Sequence, residues 1–132
     1  MNENMTSLLT GGIPAAIGAI LGYLFGPWDA VIMVLLCVVS LDYITGVIGA
    51  AVRKCMDSSV GFAGLFKKVF IFVLVALAAL LDKLVPSTNG AVRTAVCMFY
   101  IANEGLSILE NAGKIGPVSY THLRAHETRH DL

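Results

Sequence analysis

Residues 30–52 read AVIMVLLCVVSLDYITGVIGAAV, a run from Ala30 to Val52 broken by one charge, Asp42. A helix of this length rises about 35 Å at 1.5 Å per residue, enough to cross a hydrocarbon core of roughly 30 Å. A soluble helix would show a polar stripe, and this stretch has none outside the neighbourhood of Asp42. It fixes the fold class as an all-α integral membrane bundle, and the flanking sequence is read against that.

Upstream, no charge occurs between Asn4 and Trp28, and positions 8–26 form a first helical segment about 28 Å long. Pro14 is expected in an early turn, where its missing N–H costs least, and Gly26-Pro27-Trp28-Asp29 ends the segment. Trp28 suits the headgroup boundary, and Asp29 suits the cap of the next helix. The head carries Glu3 and no Lys or Arg, unlike a secretory signal, so the first segment is expected to be retained. Downstream, residues 53–68 hold Arg53, Lys54, Lys67 and Lys68 against Asp57 alone and read as a basic cytoplasmic loop. A third segment is expected over 69–85, with Lys67 and Lys68 snorkelling at its near end. Pro86-Ser87-Thr88-Asn89-Gly90 is a turn by composition. A fourth segment, 91–110, is amphipathic: Arg93, Tyr100, Glu104, Ser107, Asn111 and Lys114 recur along one helical stripe. Three spans are thus expected with an amphipathic fourth that either crosses or lies at the interface. Four crossings place both termini in the cytoplasm, and three leave the tail outside.

With 57% hydrophobic and 14% charged residues, residues 1–116 form one membrane domain with no room for an enzymatic one. Zero net charge gives no argument for nucleic acid. Cys37, Cys55 and Cys97, odd in number and mostly in apolar stretches, read as packing residues and not as a disulfide framework. Neither a catalytic nor a phosphate-binding motif occurs, so no enzyme activity and no cofactor are expected. Residues 117–132 change composition abruptly and resemble translated linker or adapter sequence; their His122, His126 and His130 recur at i, i+4 and i+8, but no metal site is assigned to them.

The candidate functional residues are polar or small. Gly18, Gly22 and Gly26 make a row on which another helix can approach closely, whether a neighbouring span or a second copy. Gly46 and Gly49 share a face with Asp42. A carboxylate midway through a span costs about 2.5–3.5 kcal/mol and must face protein or water, which ranks Asp42 first, with Tyr43 and Thr45 beside it. Its role is either functional or confined to holding the bundle together. Asn103 and Glu104 form a second polar group, with Glu104 and Arg93 as opposite charges on one stripe. Such a stripe lines water or pairs with protein, or is solvated on an interfacial helix.

Leu41-Asp42-Tyr43-Ile44-Thr45-Gly46 resembles the Asp-Tyr-x-Thr-Gly signature of the toxin-secretion and phage-lysis holin family. Residues 61–68, GFAGLFKK, and 100–111, YIANEGLSILEN, are similar to that family's loop and last helix, and the resemblance covers roughly Ala30 to Gly116. It implies a protein of phage or prophage origin in the bacterial cytoplasmic membrane. Such a protein homo-oligomerises and permeabilises the lipid bilayer for cytolysis, releasing an endolysin, or in some relatives a toxin, without contacting it directly. From the residues alone, a small ion or proton-coupled transporter using Asp42 or Glu104, and a passive assembly subunit, remain as alternatives.

Overall fold

In the computed structural model, backbone is described for residues 1–130 and side chains for 1–59 and 61–116. The chain is all-helical. Helix α1 spans Glu3–Phe25, α2 Ala30–Val52, α3 Ser58–Leu84 and α4 Ala91–His130. The first three include stretches long and apolar enough to cross a membrane.

Each boundary has a local cause. Gly26 at φ +75° ends α1, in a region that side chains beyond glycine rarely enter. The Asp29 carboxylate accepts the Ile32 N–H at 3.2 Å and starts α2, as the sequence suggested. Asp57 starts α3 by accepting the Ser59 N–H and hydroxyl, both at 2.9 Å. The backbone N–H bond, then the hydroxyl bond, hold its carboxyl below the usual carboxylate range. Between α3 and α4 a 3-10 turn, Pro86–Thr88, leads to Asn89 and Gly90, both at positive φ. The N-terminus of α4 is capped from another helix: Asp82 accepts the N–H groups of Val92 at 3.1 Å and Arg93 at 2.8 Å.

Three expectations need correction. The basic loop expected over 53–68 is short, because the Asp57 cap starts α3 at Ser58 and carries Lys67 and Lys68 into the helix. The first segment begins at Glu3 and not near Leu8, so Pro14 lies mid-helix. A proline there cannot donate to residue 10 and its ring crowds that carbonyl, and a π-helical turn at Leu8–Gly12 precedes it. The fourth segment, expected to end near residue 110, continues to His130.

Helices α2 and α4 run parallel, with α3 antiparallel to both. Asp29 meets Arg93 at one end of the α2–α4 seam, and Gly49 faces Ile115 at the other. The twenty-two steps from Arg93 to Ile115 are about 33 Å, so α4 lies alongside α2 for a full membrane thickness. The core sits toward the Arg93 end and joins Ile32, Leu35 and Val39 of α2, Ile71 and Val75 of α3, and Cys97 of α4. Outward-facing positions are apolar instead of polar, among them Val34, Leu41, Ile48, Phe66, Val73, Leu77 and Phe99. In water such a surface would aggregate; in lipid it is the solvated side.

Helix α1 is different. No residue before Gly22 is even partly buried, and its links to the rest lie in its last turn. Phe25 stacks edge-on against Phe72 at 6.4 Å, and Lys83 bonds the Tyr23 carbonyl and sits over the Tyr23 ring. The turn to α2 is clamped by Arg93, which donates to the carbonyls of Phe25 at 2.6 Å and Pro27 at 2.7 Å and to both Asp29 oxygens at 3.0 and 3.2 Å. Arg93 is only 5% exposed. Its hydrogen bond, above all, holds the Asp29 carboxyl below its usual value of 3.8.

Replacing Arg93 by Ala strands these acceptors and should cost about 2–3 kcal/mol, read as a lower thermal midpoint in detergent, with Arg93→Lys recovering part of it. A depressed carboxylate stabilises above its unfolded pKa and loses this as pH falls through the folded one. The gap between Arg93→Ala and wild type should therefore persist at neutral pH and narrow below about pH 4.

Candidate functional site: a three-helix ion cluster under an open cavity

The middle of the bundle holds three charges from three helices. Lys68 of α3 reaches Asp42 of α2 and, at 2.6 Å, the Oε2 of Glu104 of α4. Asp42 and Glu104 are 6% and 5% exposed. Asn111 completes the group: its Nδ2 donates to Asp42 Oδ1 at 3.0 Å, to the Asp42 carbonyl at 3.2 Å and to Thr45 Oγ1 at 3.0 Å. Thr45 in turn donates to the Asp42 carbonyl at 3.0 Å. Among the described residues no fully buried side-chain N or O lacks a partner.

Geometry follows from register. On α4, Tyr100, Glu104, Ser107 and Asn111 fall on one stripe that faces α2 and α3. On α2, Gly46 and Gly49 follow Asp42 on the face that α4 covers, where an added Cβ would meet Asn111 and Ile115 at 3.6 Å. These two glycines serve contact within the chain. Gly18 and Gly22 on α1 have nothing within 4 Å of an added Cβ, so their row is open, while Gly26 is the turn residue under Arg93.

Three insertion penalties of about 2.5–3.5 kcal/mol would total roughly 8–10 kcal/mol for unpaired charges. Opposite charges at about 4 Å recover about 4 kcal/mol at an effective dielectric near 20. Two such contacts, less the repulsion between the carboxylates, recover only part of the penalty. The cluster thus specifies which helices meet more than it adds stability. It carries two negative charges against one positive, and Asp42 has two side-chain donors against one for Glu104.

Beyond the cluster, away from the core, α2 and α3 diverge over α4 and leave a cavity of about 1220 Å³. Tyr43, Gly46 and Val47 of α2 wall one side, Phe62, Phe66 and Lys67 of α3 the other, and Asn103 and Ser107 of α4 form the floor with the ion cluster. Cys55, Met56 and Asp57 lie at the mouth. Phe66, Phe62 and Met56 are strongly exposed, so the cavity opens sideways between α2 and α3 as well as at the end.

The structure joins Asp42, Thr45 and Glu104 in one cluster and places Tyr43 and Asn103 on the wall and floor of the cavity beside it, a meeting across helices that spacing within each helix does not give. It separates Arg93 from Glu104: Arg93 pairs with Asp29, Glu104 with Lys68. Lys68 does not snorkel; it is the hub. Asp57-Ser58-Ser59 is a helix-start signal that would have placed Lys68 about three turns inside α3. Asn111 was visible on the stripe, but its acceptors were not. At the margins, Trp28 is half exposed and stacks edge-on against Phe25 at 6.3 Å, and Arg53 donates to the Gly49 carbonyl at 3.2 Å. Lys54 takes φ +55° at the turn. The side chains of His122, His126 and His130 lie outside the described residues.

The bacteriophage holin family matches residues 19–122. An uncharacterized protein of Clostridium acetobutylicum is 38% identical over 108 residues, 82% of this chain and 86% of its own length. One from Listeria monocytogenes is 44% identical over 99 residues, 75% of this chain and 70% of its own. A probable holin of Bacillus phage phi105 is 39% identical over 94 residues, 71% of this chain and 68% of its own. No solved structure matches the chain. The chain belongs to the bacteriophage holin family, a family of non-enzymatic membrane proteins.

Lys68→Met leaves two facing carboxylates and should destabilise the detergent-solubilised protein by about 3–5 kcal/mol. The Asp42→Asn, Lys68→Met, Glu104→Gln triple variant, which removes all three charges, should melt closer to wild type than Lys68→Met alone. Thermal denaturation followed by circular dichroism compares them.

Proposed function

We propose that this member of the bacteriophage holin family homo-oligomerises in the cytoplasmic membrane of a bacterial host and permeabilises it, releasing an endolysin, or a toxin, during lysis. One observation carries the reading: the bundle is apolar outside and polar inside, with its charges at the base of a cavity that opens sideways between α2 and α3. A seam that is already parted needs little rearrangement to expose polar groups of α2 and α4 to water. The open Gly18 and Gly22 row on α1 offers a packing face for assembly. Endolysin is a functional partner that needs no direct contact.

The orientation we propose has four crossings and both termini in the cytoplasm. Exposed Arg53 and Lys54 lie at the cavity end, whereas at the other end Arg93 is buried on Asp29 and Lys83 is the exposed cation. With this topology the exposed Cys55 faces the cytoplasm. A membrane-impermeant maleimide should label it in inverted vesicles and not in intact spheroplasts.

The second reading, a proton- or ion-coupled transporter, is favoured by the buried Asp42–Lys68–Glu104 cluster at the base of that cavity. Induced expression with a potential-sensitive dye and a co-expressed endolysin separates the two. A holin depolarises the cells abruptly and lyses them; insertion without either effect refutes the holin reading. Asp42→Asn should abolish pH-driven exchange by a transporter, whereas a holin should keep lytic activity, its timing altered, because the amide can still bond Asn111 and Lys68.

A further inference from the structure

The cavity and helix α1 are each incomplete in one chain. Residues 3–21 of α1 are left without a neighbour, while α2, α3 and α4 leave a gap where a helix would fit. A helix about 10 Å across rising 1.5 Å per residue occupies roughly 120 Å³ per residue, so 1220 Å³ holds about ten residues. We infer that the N-terminal part of α1, residues 3–12, docks into the α2–α3 cavity of a second copy; this rests on the membrane assembly proposed above and names the surface that builds it.

Depth, charge and texture favour this occupant. Because α1 ends at the turn that starts α2, a membrane-spanning α1 begins at the level of the 53–57 turn, where the cavity has its mouth. Residues 3–12 are therefore the part of a neighbouring α1 that lies at cavity depth. They carry the polar side chains of α1, Glu3, Asn4, Thr6, Ser7 and Thr10, together with Gly11 and Gly12. An uncharged aliphatic helix would leave the cavity's polar floor unanswered. Glu3 has no ion pair among the described residues, nor have the exposed Arg53 and Lys54, which stand at the level it would occupy. The contact joins two different surfaces, so each copy offers one α1 and one cavity. Such a head-to-tail contact continues from copy to copy, whereas a symmetric one stops at a pair.

The native cysteines supply the test. In full-length protein in membranes, with exposed Cys37 changed to Ser, cysteines introduced as Asn4→Cys, Ser7→Cys and Thr10→Cys are treated with an oxidant or a short bis-maleimide. At least one position should give a ladder beyond dimer, and Cys55→Ser should reduce it at least tenfold. Gly64→Leu, which fills the cavity from a position with open space around it, should reduce the ladder as much while leaving the thermal midpoint unchanged or higher. Products that survive Cys55→Ser, products that stop at dimer, cross-links within one chain, or none at any position each overturn the inference. A ladder without permeabilisation would refute the holin reading and leave this contact standing, and permeabilisation without a ladder would do the reverse.

Discussion

A lysine ammonium in the middle of a membrane has to find its counter-charge inside the protein, and most of this structure follows from where Lys68 finds it. Lys68 sits at the base of the cavity with its ammonium on both carboxylates, so α3 is drawn to α2 and α4 together. That single group sets the register of three helices whose apolar surfaces would otherwise slide, since lipid supplies no hydrophobic force to fix them. Asn111 adds the second constraint by bonding both the side chain and the backbone of Asp42, which locks α4 against α2 at the same level.

On either side of this level the bundle behaves differently. Toward the Arg93 end, aliphatic side chains close the core, Asp82 caps α4 and Arg93 ties the α1–α2 turn. Toward the other end, nothing comparable joins α2 to α3 among the described residues, and the cavity takes the place of a core. The ion cluster is the boundary between a closed half and a half that still has surface to offer. Permeabilisation of the kind proposed would extend that opening past the cluster, with Lys68 as the group to be displaced.

Much of this was legible in the sequence because membrane helices declare themselves through length and apolarity. Residues 30–52 were read to the residue, and Asp42 was singled out because a carboxylate there has no innocent location in lipid. The α4 stripe was legible from spacing alone. Its partners were not, because spacing within one helix says which side chains share a face and nothing about the face they meet. Glu104 and Arg93 stand as opposite charges on one stripe, and each finds a different partner at a different level of the bundle. The position of Lys68 is obscured for a narrower reason: basic charge near a helix end suggests a loop, whereas Asp57 and the serines after it mark an earlier start. The isolation of α1 could not be read at all, since a lipid-facing helix and a helix awaiting a partner have the same composition.

The order of the charges along the chain has a consequence for synthesis. Asp42 and Lys68 are 26 residues apart and emerge as the neighbouring helices α2 and α3, while Glu104 follows 36 residues after Lys68. In a helical hairpin of α2 and α3 Asp42 already balances Lys68, so that pair can enter the bilayer together. Only when α4 is added does the site acquire its surplus carboxylate. Helix α4, made after α2 and α3, is therefore the one that adds the second carboxylate, and a ribosome that stops before it leaves a hairpin with Lys68 already paired to Asp42.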